Sequence, residues 1–588
     1  MMEDDEESMP RYNHFVITPE SCAEDMLRGV AATFPSLTVD DKSRIILYAQ
    51  GGQSQSRVGL ISGGGSGHEP FAAGFVGEGM LTAAVAGKVF TSPPPTTILT
   101  TICNVAEMCP GGVLVFIMNY TGDVLNFGLA MERAKLKGIK VRSISVEEDC
   151  AIDSPQGAGK RGLCGCLFMF KIAGGMAALG RSLDEIYDEC SLIKRHNATF
   201  GVTIKPCNMP GSGPMFRIEE GYMELGIGIH GEAGASKCKI AAGDVIAKIL
   251  VDKLCGTLSI KAGDKVCVIV NNLGGTSQLE LFLISGLVHK ELGMRNVVVE
   301  RHYAGILMSS LDMAGIQVSL LLLPSSDERH RQLWLDTLDT HTNAFAWPAT
   351  SLSLPPLRQT HVFTVDDVET KTQGPQISDQ RAEVLRKCLQ VSAKALVTNE
   401  QKLNELDKGC GDGDTGSTLR RMADAILQNL DQLPVRYPQQ CFTLLSKMAE
   451  DVMGGTSGAL YSLMFVGASK QVPDWTAALG AALSTAMTYS KATLGSRTMF
   501  DALIPACEAF KGTSEWTTAL HRAVQAAEEG CQRTRHYKPL FGRASYVGAD
   551  NIKSMDAGAY AVTVWLNAIR RELFCEIMNK TYSEQNPS

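Results

Sequence analysis

A histidine in a glycine-rich stretch is the first candidate for chemistry. His230 lies within residues 228–234 (GIHGEAG), at the end of the apolar-alternating run 223–229. Glycines remove side-chain bulk, so the backbone can approach a small ligand while the imidazole stays exposed in a pocket. Histidine can serve as a nucleophile or as a proton carrier near neutral pH. The sequence therefore offers His230 as a catalytic residue, and a structural histidine held by hydrogen bonds is the alternative.

A second histidine, His68, follows a run of glycines in residues 63–70 (GGGSGHEP). A dinucleotide-binding fingerprint has an acidic residue about 20 positions further on, but residues 82–86 (TAAVA) contain none. The other glycine loop, at 157–160, lacks the first glycine and the following Ser/Thr of a Walker A loop. We therefore interpret the run as a glycine turn that brings His68 to a pocket.

Asp123 ends the motif NYTGD at 119–123, which follows an apolar run. In parallel α/β sheets, ligands collect beyond the carboxyl ends of the strands. At such a place Asp123 could act as a general base towards a substrate hydroxyl. The alternative is an N-cap for a helix that the pattern predicts from about residue 126.

Three aspartates stand close together in residues 407–416 (DKGCGDGDTG): Asp407, Asp412 and Asp414. Uncompensated carboxylates at this spacing would repel one another, whereas Mg²⁺ takes oxygen ligands of this kind and bridges to substrate phosphates. The pattern therefore indicates a metal site near a phosphate, and an exposed acidic turn is the alternative.

Two further glycine-containing turns precede predicted helices, at 454–458 (GGTSG) and at 556–558 (DAG). The backbone N–H groups at the start of a helix bind phosphate oxygens without a basic side chain. Both turns are candidates for that role, and plain helix-breaking turns are the alternative.

The elements that would position these residues differ between the two halves of the chain. Strand-like runs at 58–62, 113–119 and 141–146, with a helical segment at 126–137, predict a parallel α/β layer. A second α/β unit begins near residue 199, and its strands lie around 202 and 225 and at 266–271, 297–300 and 318–323.

Residues 346–376 are rich in Pro, Ser, Thr and Gln, which is typical of a linker. Ser378 then offers an N-cap, and from there to about residue 573 the apolar residues recur at helical spacing. The C-terminal part is predicted to be entirely helical.

Composition excludes several classes of protein. The chain has 588 residues, of which 45% are hydrophobic and 20% charged, and its net charge of -8 argues against a broad nucleic-acid-binding surface. The 17 cysteines and the acidic residues 1–7 are typical of a reduced cytosolic protein without a signal peptide. The most apolar stretch, 71–90, is interrupted by Glu78 and Lys88, so no membrane span is expected.

Six motifs in this order resemble those of the ATP-dependent dihydroxyacetone kinases, and most closely the animal members that combine triokinase and FMN cyclase activities. The motifs are GGGSGHEP (63–70), NYTGD (119–123), ELGIGIHGEAG (224–234), NNLGG (271–275), GDGDTG (411–416) and GGTSGALY (454–461). The resemblance extends from about residue 12 to 580.

The resemblance implies a kinase in two parts. An α/β half at 12–345, with subdomains at about 12–198 and 199–345, binds dihydroxyacetone. The linker 346–376 joins it to an all-α helical barrel at 377–580, which binds ATP and Mg²⁺. Family members are homodimers, in which the nucleotide domain of one chain serves the substrate domain of the other.

The resemblance also implies roles for single residues. His230 holds dihydroxyacetone or glyceraldehyde as a covalent hemiaminal, and Asp123 acts on the hydroxyl that is phosphorylated. The substrate pocket is lined by Gly65, Ser66, Gly67 and His68. Mg²⁺ is held by Asp407, Asp412 and Asp414. The residues around ATP are Asp412, Gly413, Asp414, Thr415, Thr456, Ser457, Ser490, Thr498, Asp556, Ala557 and Gly558.

Animal members of the family also split FAD into AMP and cyclic FMN at the nucleotide site, a reaction for which Mn²⁺ or Co²⁺ is possible. Two positions depart from the family pattern: Met118 stands where a lysine usually precedes NYTGD, and Ala72 where a histidine commonly follows GHEP. The alternative function is therefore that of a diverged paralogue with weakened kinase activity, acting as a binding or regulatory protein.

Overall fold

The computed structural model describes residues 14–15, 18, 20–48, 57–151, 159–348, 373–408, 413–511, 515–540 and 554–585. The chain divides into two compact units, Met1–Thr360 and His361–Ser588. This division falls within the expected linker 346–376, of which residues 349–372 lie outside the described residues.

The first sheet of the first unit has six strands in the order β1-β2-β4-β3-β5-β6. They are β1 (Leu37–Asp40), β2 (Ile45–Tyr48), β3 (Gly59–Ser66), β4 (Ala83–Val89), β5 (Val113–Met118) and β6 (Val141–Val146). The strands β4, β3, β5 and β6 run parallel, and β2 and β1 add an antiparallel edge. The accompanying helices are α1 (Cys22–Thr33), α2 (Pro95–Met108), α3 (Thr121–Leu136), α4 (Cys166–Ala178) and α5 (Leu183–Arg195). The predicted parallel α/β layer is confirmed.

The interior strand β5 shows why this sheet is covered on both faces. All six of its residues are buried, and successive side chains of a strand point to opposite faces. The odd-numbered residues pack with Ile102 of α2 and Phe127 of α3. The even-numbered residues face α4, where the ring centroids of Phe116 and Phe170 lie 4.9 Å apart.

The second sheet of the same unit also has six strands, in the order β11-β10-β7-β14-β12-β13. The strands of this part are β7 (Asn197–Lys205), the short hairpin β8 (Asn208–Met209) and β9 (Gly213–Pro214), β10 (Tyr222–Leu225), β11 (Ser236–Lys239), β12 (Lys265–Asn272), β13 (Val298–Gly305) and β14 (Ala314–Leu322). Its helices are α6 (Gly243–Leu258), α7 (Gln278–Met294) and α8 (Glu328–Asp339). The strands β12 and β13 run parallel, while the other neighbouring pairs are antiparallel.

The second unit is helical throughout the part that the structure describes. Its helices are α9 (Asp379–Thr398), α10 (Glu400–Asp407), α11 (Thr415–Asn429), α12 (Pro438–Met453), α13 (Gly455–Ser469), α14 (Trp475–Tyr489), α15 (Phe500–Lys511), α16 (Trp516–Arg533) and α17 (Ala557–Gln585). The Ser378 hydroxyl accepts a hydrogen bond from the Arg381 backbone N–H, so the N-cap expected for α9 is confirmed. Buried side chains such as Leu445 and Phe500 form its core.

None of the described helices is both long enough and apolar enough to cross a membrane.

Candidate active site

Two histidines carried by different sheets meet in the first unit. His68 follows β3, and His230 lies between β10 and β11. Their Nε2 atoms are 3.2 Å apart. His68 is only 2% exposed, whereas His230 is half-buried. The structure thus brings together the two histidines that the glycine motifs singled out.

The hydrogen bonds of His68 determine which ring nitrogen carries its proton. Its Nδ1 lies 3.0 Å from the carbonyl oxygen of Ser309, and a carbonyl oxygen only accepts. The Nδ1 therefore carries the hydrogen, the Nε2 carries a lone pair, and the Nε2–H of His230 donates to it. Burial, and then the neighbouring His230, lower the pKa of His68 to about 3. Burial also lowers the pKa of His230, so both rings are neutral at pH 7.

The glycine turn is fixed by backbone contacts on both sides. Gly67 has a φ of +97°, which favours glycine, and its N–H donates to Glu69 Oε2 at 2.9 Å. Its carbonyl accepts from the Leu311 N–H at 2.8 Å, and the His68 carbonyl accepts from the Ser309 N–H at 3.0 Å. The loop between β13 and β14 therefore holds His68 in place.

The two remaining residues predicted to line the pocket, Gly65 and Ser66, face the neighbouring strand. The Ser66 hydroxyl donates to the Gly87 carbonyl of β4 at 2.8 Å. A Cβ on Gly65 would lie 2.7 Å from the backbone nitrogen of Thr91. The Ser66 side chain thus holds the loop, and its contribution to a ligand would come from the backbone.

Aromatic rings that the sequence did not indicate enclose the histidine pair. The Tyr120 ring centroid lies 4.4 Å from that of His230, edge to face. Phe90 stacks on His68 at 5.0 Å and lies 5.4 Å from His230. The Tyr120 hydroxyl donates to the Gly162 carbonyl at 3.0 Å. The position of Tyr120 within the NYTGD motif was the only sequence feature that could have indicated its role in the site. No sequence pattern indicated Phe90.

Asp123 lies inside a helix rather than ahead of one. The helix α3 begins at Thr121, not near residue 126, so the alternative N-cap role is wrong and Asp123 sits in the first turn. It is 4% exposed, and Oδ1 has no hydrogen-bond partner among the described residues. Burial raises the pKa of Asp123 to about 6, against a smaller lowering by the Ser92 hydroxyl. A buried carboxylate of this kind is suited to accept a proton from a ligand.

The two departures from the family pattern differ in their surroundings. Met118 is 2% exposed and belongs to the apolar core on the α4 face of β5. Ala72 lines a small cavity with Met26, Ile46 and Glu69, and neither His68 nor His230 lines it. Met118 therefore fills its place by apolar packing, and Ala72 shares its cavity with Gly65 and Ser66 of the glycine turn.

One end of the helical unit gathers several predicted nucleotide residues. Asp407 ends α10, and its Oδ2 accepts from the backbone N–H groups of Asp414 at 3.1 Å and Thr415 at 3.3 Å. Thr415 begins α11, and Gly413 turns the chain ahead of it with a φ of +73°. A carboxylate here gains from the exposed N–H groups and the dipole of the helix start. Asp412 lies outside the described residues.

The start of α13 lies beside α11. The helix begins at Gly455, so Thr456 and Ser457 occupy its first turn, whereas the sequence placed them before the helix. The guanidinium of Arg421 on α11 donates to the carbonyl groups that end α12. The first backbone N–H groups of a helix have no partner within it and can bind phosphate.

The turn at 556–558 also opens a helix. Asp556 Oδ1 accepts from the Ala559 N–H at 2.8 Å, so its carboxylate caps α17, which begins at Ala557 and continues through Gly558. Burial raises the pKa of Asp556 to about 6. The capping role that was the alternative for this turn is therefore present, and the helix start is largely buried, with Ala557 and Ala559 at 5% and 0% exposure.

Arg497 and Asp501 stabilise the same end of the unit, although the sequence did not point to them. Asp501 is fully buried and accepts hydrogen bonds from the loop that starts at Ser490, one of them from the Thr498 N–H at 2.8 Å. Arg497 donates to the Ser554 carbonyl at 3.0 Å, just ahead of α17. The loop that carries Ser490 and Thr498 is thus hydrogen-bonded to the segment that leads into the turn at 556–558.

The donor set at this end fits a hard cation. Carboxylate oxygens such as those of Asp407 and Asp414 are the ligands that Mg²⁺ prefers, usually together with substrate phosphates. Among the described residues, no three His, Cys, Asp or Glu side chains converge closely enough to hold a metal ion. The third expected ligand, Asp412, is not one of those residues.

Comparisons with known proteins place both units in one family. The model of the Dak1 domain matches residues 28–342, and that of the DAK2 domain matches residues 409–571. The triokinase/FMN cyclase of Mus musculus is 39% identical over 570 residues, covering 94% of this chain and 97% of that protein. Dihydroxyacetone kinase 1 of Saccharomyces cerevisiae is 34% identical, covering 93% and 97%. The C. freundii dihydroxyacetone kinase in complex with AMP-PNP and Mg²⁺ superimposes with a TM-score of 0.65 at 31% identity, covering 95% and 99%.

Proposed function

Because the chain belongs to the dihydroxyacetone kinase family, which combines Dak1 and Dak2 domains, we propose that it transfers the terminal phosphoryl group of ATP to dihydroxyacetone. The observation that carries this proposal is the histidine pair, whose Nε2 atoms lie 3.2 Å apart with His68 anchored on the Ser309 carbonyl. Glyceraldehyde is a second substrate of the same class, because it also has a carbonyl group beside a free hydroxyl.

The first step is the addition of His230 to the substrate carbonyl. As His230 Nε2 loses its proton, it forms a bond to the carbonyl carbon. The C=O π-electrons move to the oxygen, and that oxygen takes up a proton. The proton leaves His230 Nε2 and passes through His68 Nε2 to the new hydroxyl, so the hemiaminal is neutral. The pKa of about 3 keeps His68 from retaining this proton. Glycerol has no carbonyl, so this step separates ketoses and aldoses from polyols.

Asp123 then takes the proton of the hydroxyl that is phosphorylated. Its buried carboxyl has a pKa of about 6, so most of the carboxyl groups are ionised at pH 7. Such a group is a stronger base than an exposed aspartate, whose pKa is about 3.9. Asp123 follows Tyr120 by three residues, and the Tyr120 ring centroid lies 4.4 Å from that of His230, which supports assigning both roles to one pocket.

ATP belongs at the helix starts of the second unit. We assign Asp407, Asp412 and Asp414 to Mg²⁺, which would neutralise phosphate charge as the phosphoryl group moves. The start of α13, where residues 454–456 are exposed, supplies backbone N–H groups for the phosphates. The relative from Mus musculus is named an FMN cyclase, so we also propose that FAD is split here into AMP and cyclic FMN, with Mn²⁺ or Co²⁺ as further metals.

We further propose that the chain acts as a homodimer in the cytosol. Support for the dimer comes from α7, which exposes Leu279, Phe282 and Leu283 at 77%, 61% and 52%. Support for the cytosol comes from buried cysteines such as Cys164, Cys190 and Cys267, which form no disulfide.

A coupled assay of ADP release tests the kinase proposal. The protein is supplied with Mg-ATP and with dihydroxyacetone, glyceraldehyde or glycerol. We expect release with the first two substrates, none with glycerol, and loss of release in Asp123→Asn. Equal release with glycerol would contradict covalent capture. No release with any substrate would favour the alternative, a diverged binding or regulatory protein.

A further inference from the structure

Arg161 lies beside the histidine stretch, and all three nitrogens of its guanidinium donate hydrogen bonds. Its Nε is 2.7 Å from Asp149 Oδ2, and its terminal nitrogens are each 2.8 Å from an acceptor, Glu232 Oε1 and the Gly226 carbonyl. Asp149 and Arg161 follow β6 of the first sheet, whereas Gly226 and Glu232 flank His230 beside the second. The guanidinium therefore joins the loops of the two sheets.

Glu232 extends this contact to His230. While Oε1 is held by Arg161, Oε2 accepts from the His230 backbone N–H at 2.8 Å. Gly228 lies directly against the ion pair, because a Cβ there would be 1.7 Å from Glu232 Oε1 and 2.6 Å from an Arg161 nitrogen. The backbone of the histidine stretch thus packs against the Arg161–Glu232 pair at Gly228 and donates a hydrogen bond to Glu232 at His230.

We infer that Arg161 is a positioning residue for the covalent step, because by holding Glu232 it fixes the backbone of His230 and so keeps the imidazole beside His68. This inference rests on the proposed function, since it concerns the addition of His230 to a carbonyl. Arg161 acts on His230 through Glu232, because its three nitrogens donate to Asp149, Glu232 and the Gly226 carbonyl. Its side chain is 19% exposed.

The arginine cannot be replaced by a simple cation. A lysine ammonium is a single charged centre on a flexible stem and cannot span three acceptors in one plane as a guanidinium does. Asp149, whose side chain is 3% exposed, also depends on Arg161. Removing one partner of a buried pair leaves the other charge uncompensated. The test therefore needs a variant of Glu232 as well as one of Arg161.

The charges around His230 supply a readout that a purely structural role would not change. The groups that face it are His68 from the loop after β3, Tyr120 after β5, Arg161 after β6 and Glu232 on its own loop. Glu232 raises the pKa of His230, and Arg161 lowers it. An imidazolium has no lone pair with which to attack a carbonyl. Loss of Arg161 should therefore move the acid limit of the addition to higher pH, and loss of the Glu232 charge should move it to lower pH.

The experiment measures the rate at which full-length protein gains the mass of one dihydroxyacetone between pH 4.5 and 8.5. It compares the wild type with Arg161→Gln, Glu232→Gln and the control Arg301→Gln. The Arg301 side chain is 7% exposed and donates its Nε to Asp339 at 2.7 Å, and its hydrogen bonds go to Asp339 and the Glu300 carbonyl rather than to the histidine stretch. We expect Arg161→Gln to slow the addition at least about tenfold at pH 8, as expected for a displaced reacting group.

The acid limits of the two site variants should shift in opposite directions, while that of Arg301→Gln stays at the wild-type value. If Arg161→Gln does not fold, the rate of addition in Glu232→Gln at pH 8 decides the matter, because Arg161 is inferred to act by holding Glu232 against the His230 backbone. Unchanged rates and limits in both site variants would overturn the inference and leave the proposed function standing. A wild type that gains no mass at any pH would overturn both.

Discussion

His68 and His230 have contrasting surroundings, and these suit them to different tasks. His68 is buried, with one ring nitrogen engaged by a backbone carbonyl, so its remaining nitrogen can only pass a proton on. His230 is half-buried, its backbone N–H donates to Glu232, and its ring Nε2 contacts His68. The ring that must bond to a substrate is therefore the one left accessible.

Asp123 should set the acid limit of phosphorylation. It must be ionised to accept a proton, and burial raises its pKa to about 6, whereas burial lowers the pKa of His230. As pH falls through 6, the carboxylate fraction decreases, so kcat/KM for dihydroxyacetone should drop about tenfold per pH unit. A series of kcat/KM values between pH 5 and 8 measures this. FAD cleavage, which does not use Asp123, serves as the control, and a flat kinase profile down to pH 5 would contradict the assignment.

At the scale of elements, the path of the histidine stretch depends on a single missing side chain. Gly228→Ala would place a methyl group 1.7 Å from Glu232 Oε1, so we expect loss of the dihydroxyacetone adduct. The matched control is Gly256→Ala in α6, where nothing lies within 4 Å and alanine should stabilise the helix by up to about 1 kcal/mol. Intact-mass and thermal-unfolding measurements on both variants make the comparison. An adduct in Gly228→Ala at the wild-type level would mean that the stretch adapts.

The helix starts of the second unit make a separate prediction. Asp414 precedes α11, and its backbone is held by Asp407. If these carboxylates hold the metal of the bound nucleotide, Asp414→Asn should abolish ADP release and FAD cleavage together. Formation of the dihydroxyacetone adduct should continue, because it takes place in the other unit. Loss of only one of the two activities would indicate two distinct nucleotide sites.

The sequence predicted the elements best where burial is continuous. The buried apolar run predicted β5 almost to the residue, because a parallel strand covered on both faces is apolar throughout. The start of α3 was predicted five positions too late. Thr121 and Gly122 are weak helix formers, so the first turn does not show a helical sequence pattern. The mainly antiparallel second sheet depends on long-range pairings such as that of β7 with β14, which leave no local pattern.

The candidate site was predictable only in part, for a similar reason. The glycine motifs located both histidines, since a backbone that approaches a ligand needs glycine locally. Arg161 and Glu232 are 71 positions apart, and the sequence around neither residue predicts their contact. The role of Gly228 becomes evident only once that ion pair is in view.

At the scale of the whole molecule, the chain forms two compact units. The first extends at least to Trp347, within the expected linker, because this residue is buried and its ring lies 4.7 Å from that of Tyr303. We therefore expect residues 1–348 to form the adduct with dihydroxyacetone, and residues 373–588 to bind Mg-ATP. Neither piece should release ADP in the presence of dihydroxyacetone. Turnover by one piece alone would contradict a division of labour between the units.

The central claim is that His230 captures the carbonyl of the substrate, and intact-mass spectrometry of the full-length protein tests it most directly. With dihydroxyacetone, the wild type should gain the mass of one substrate molecule per chain, and with glycerol it should gain nothing. His230→Ala should show no gain with either compound while its fold and Mg-ATP binding are retained. An equal gain in His230→Ala, or none in the wild type, would contradict the account.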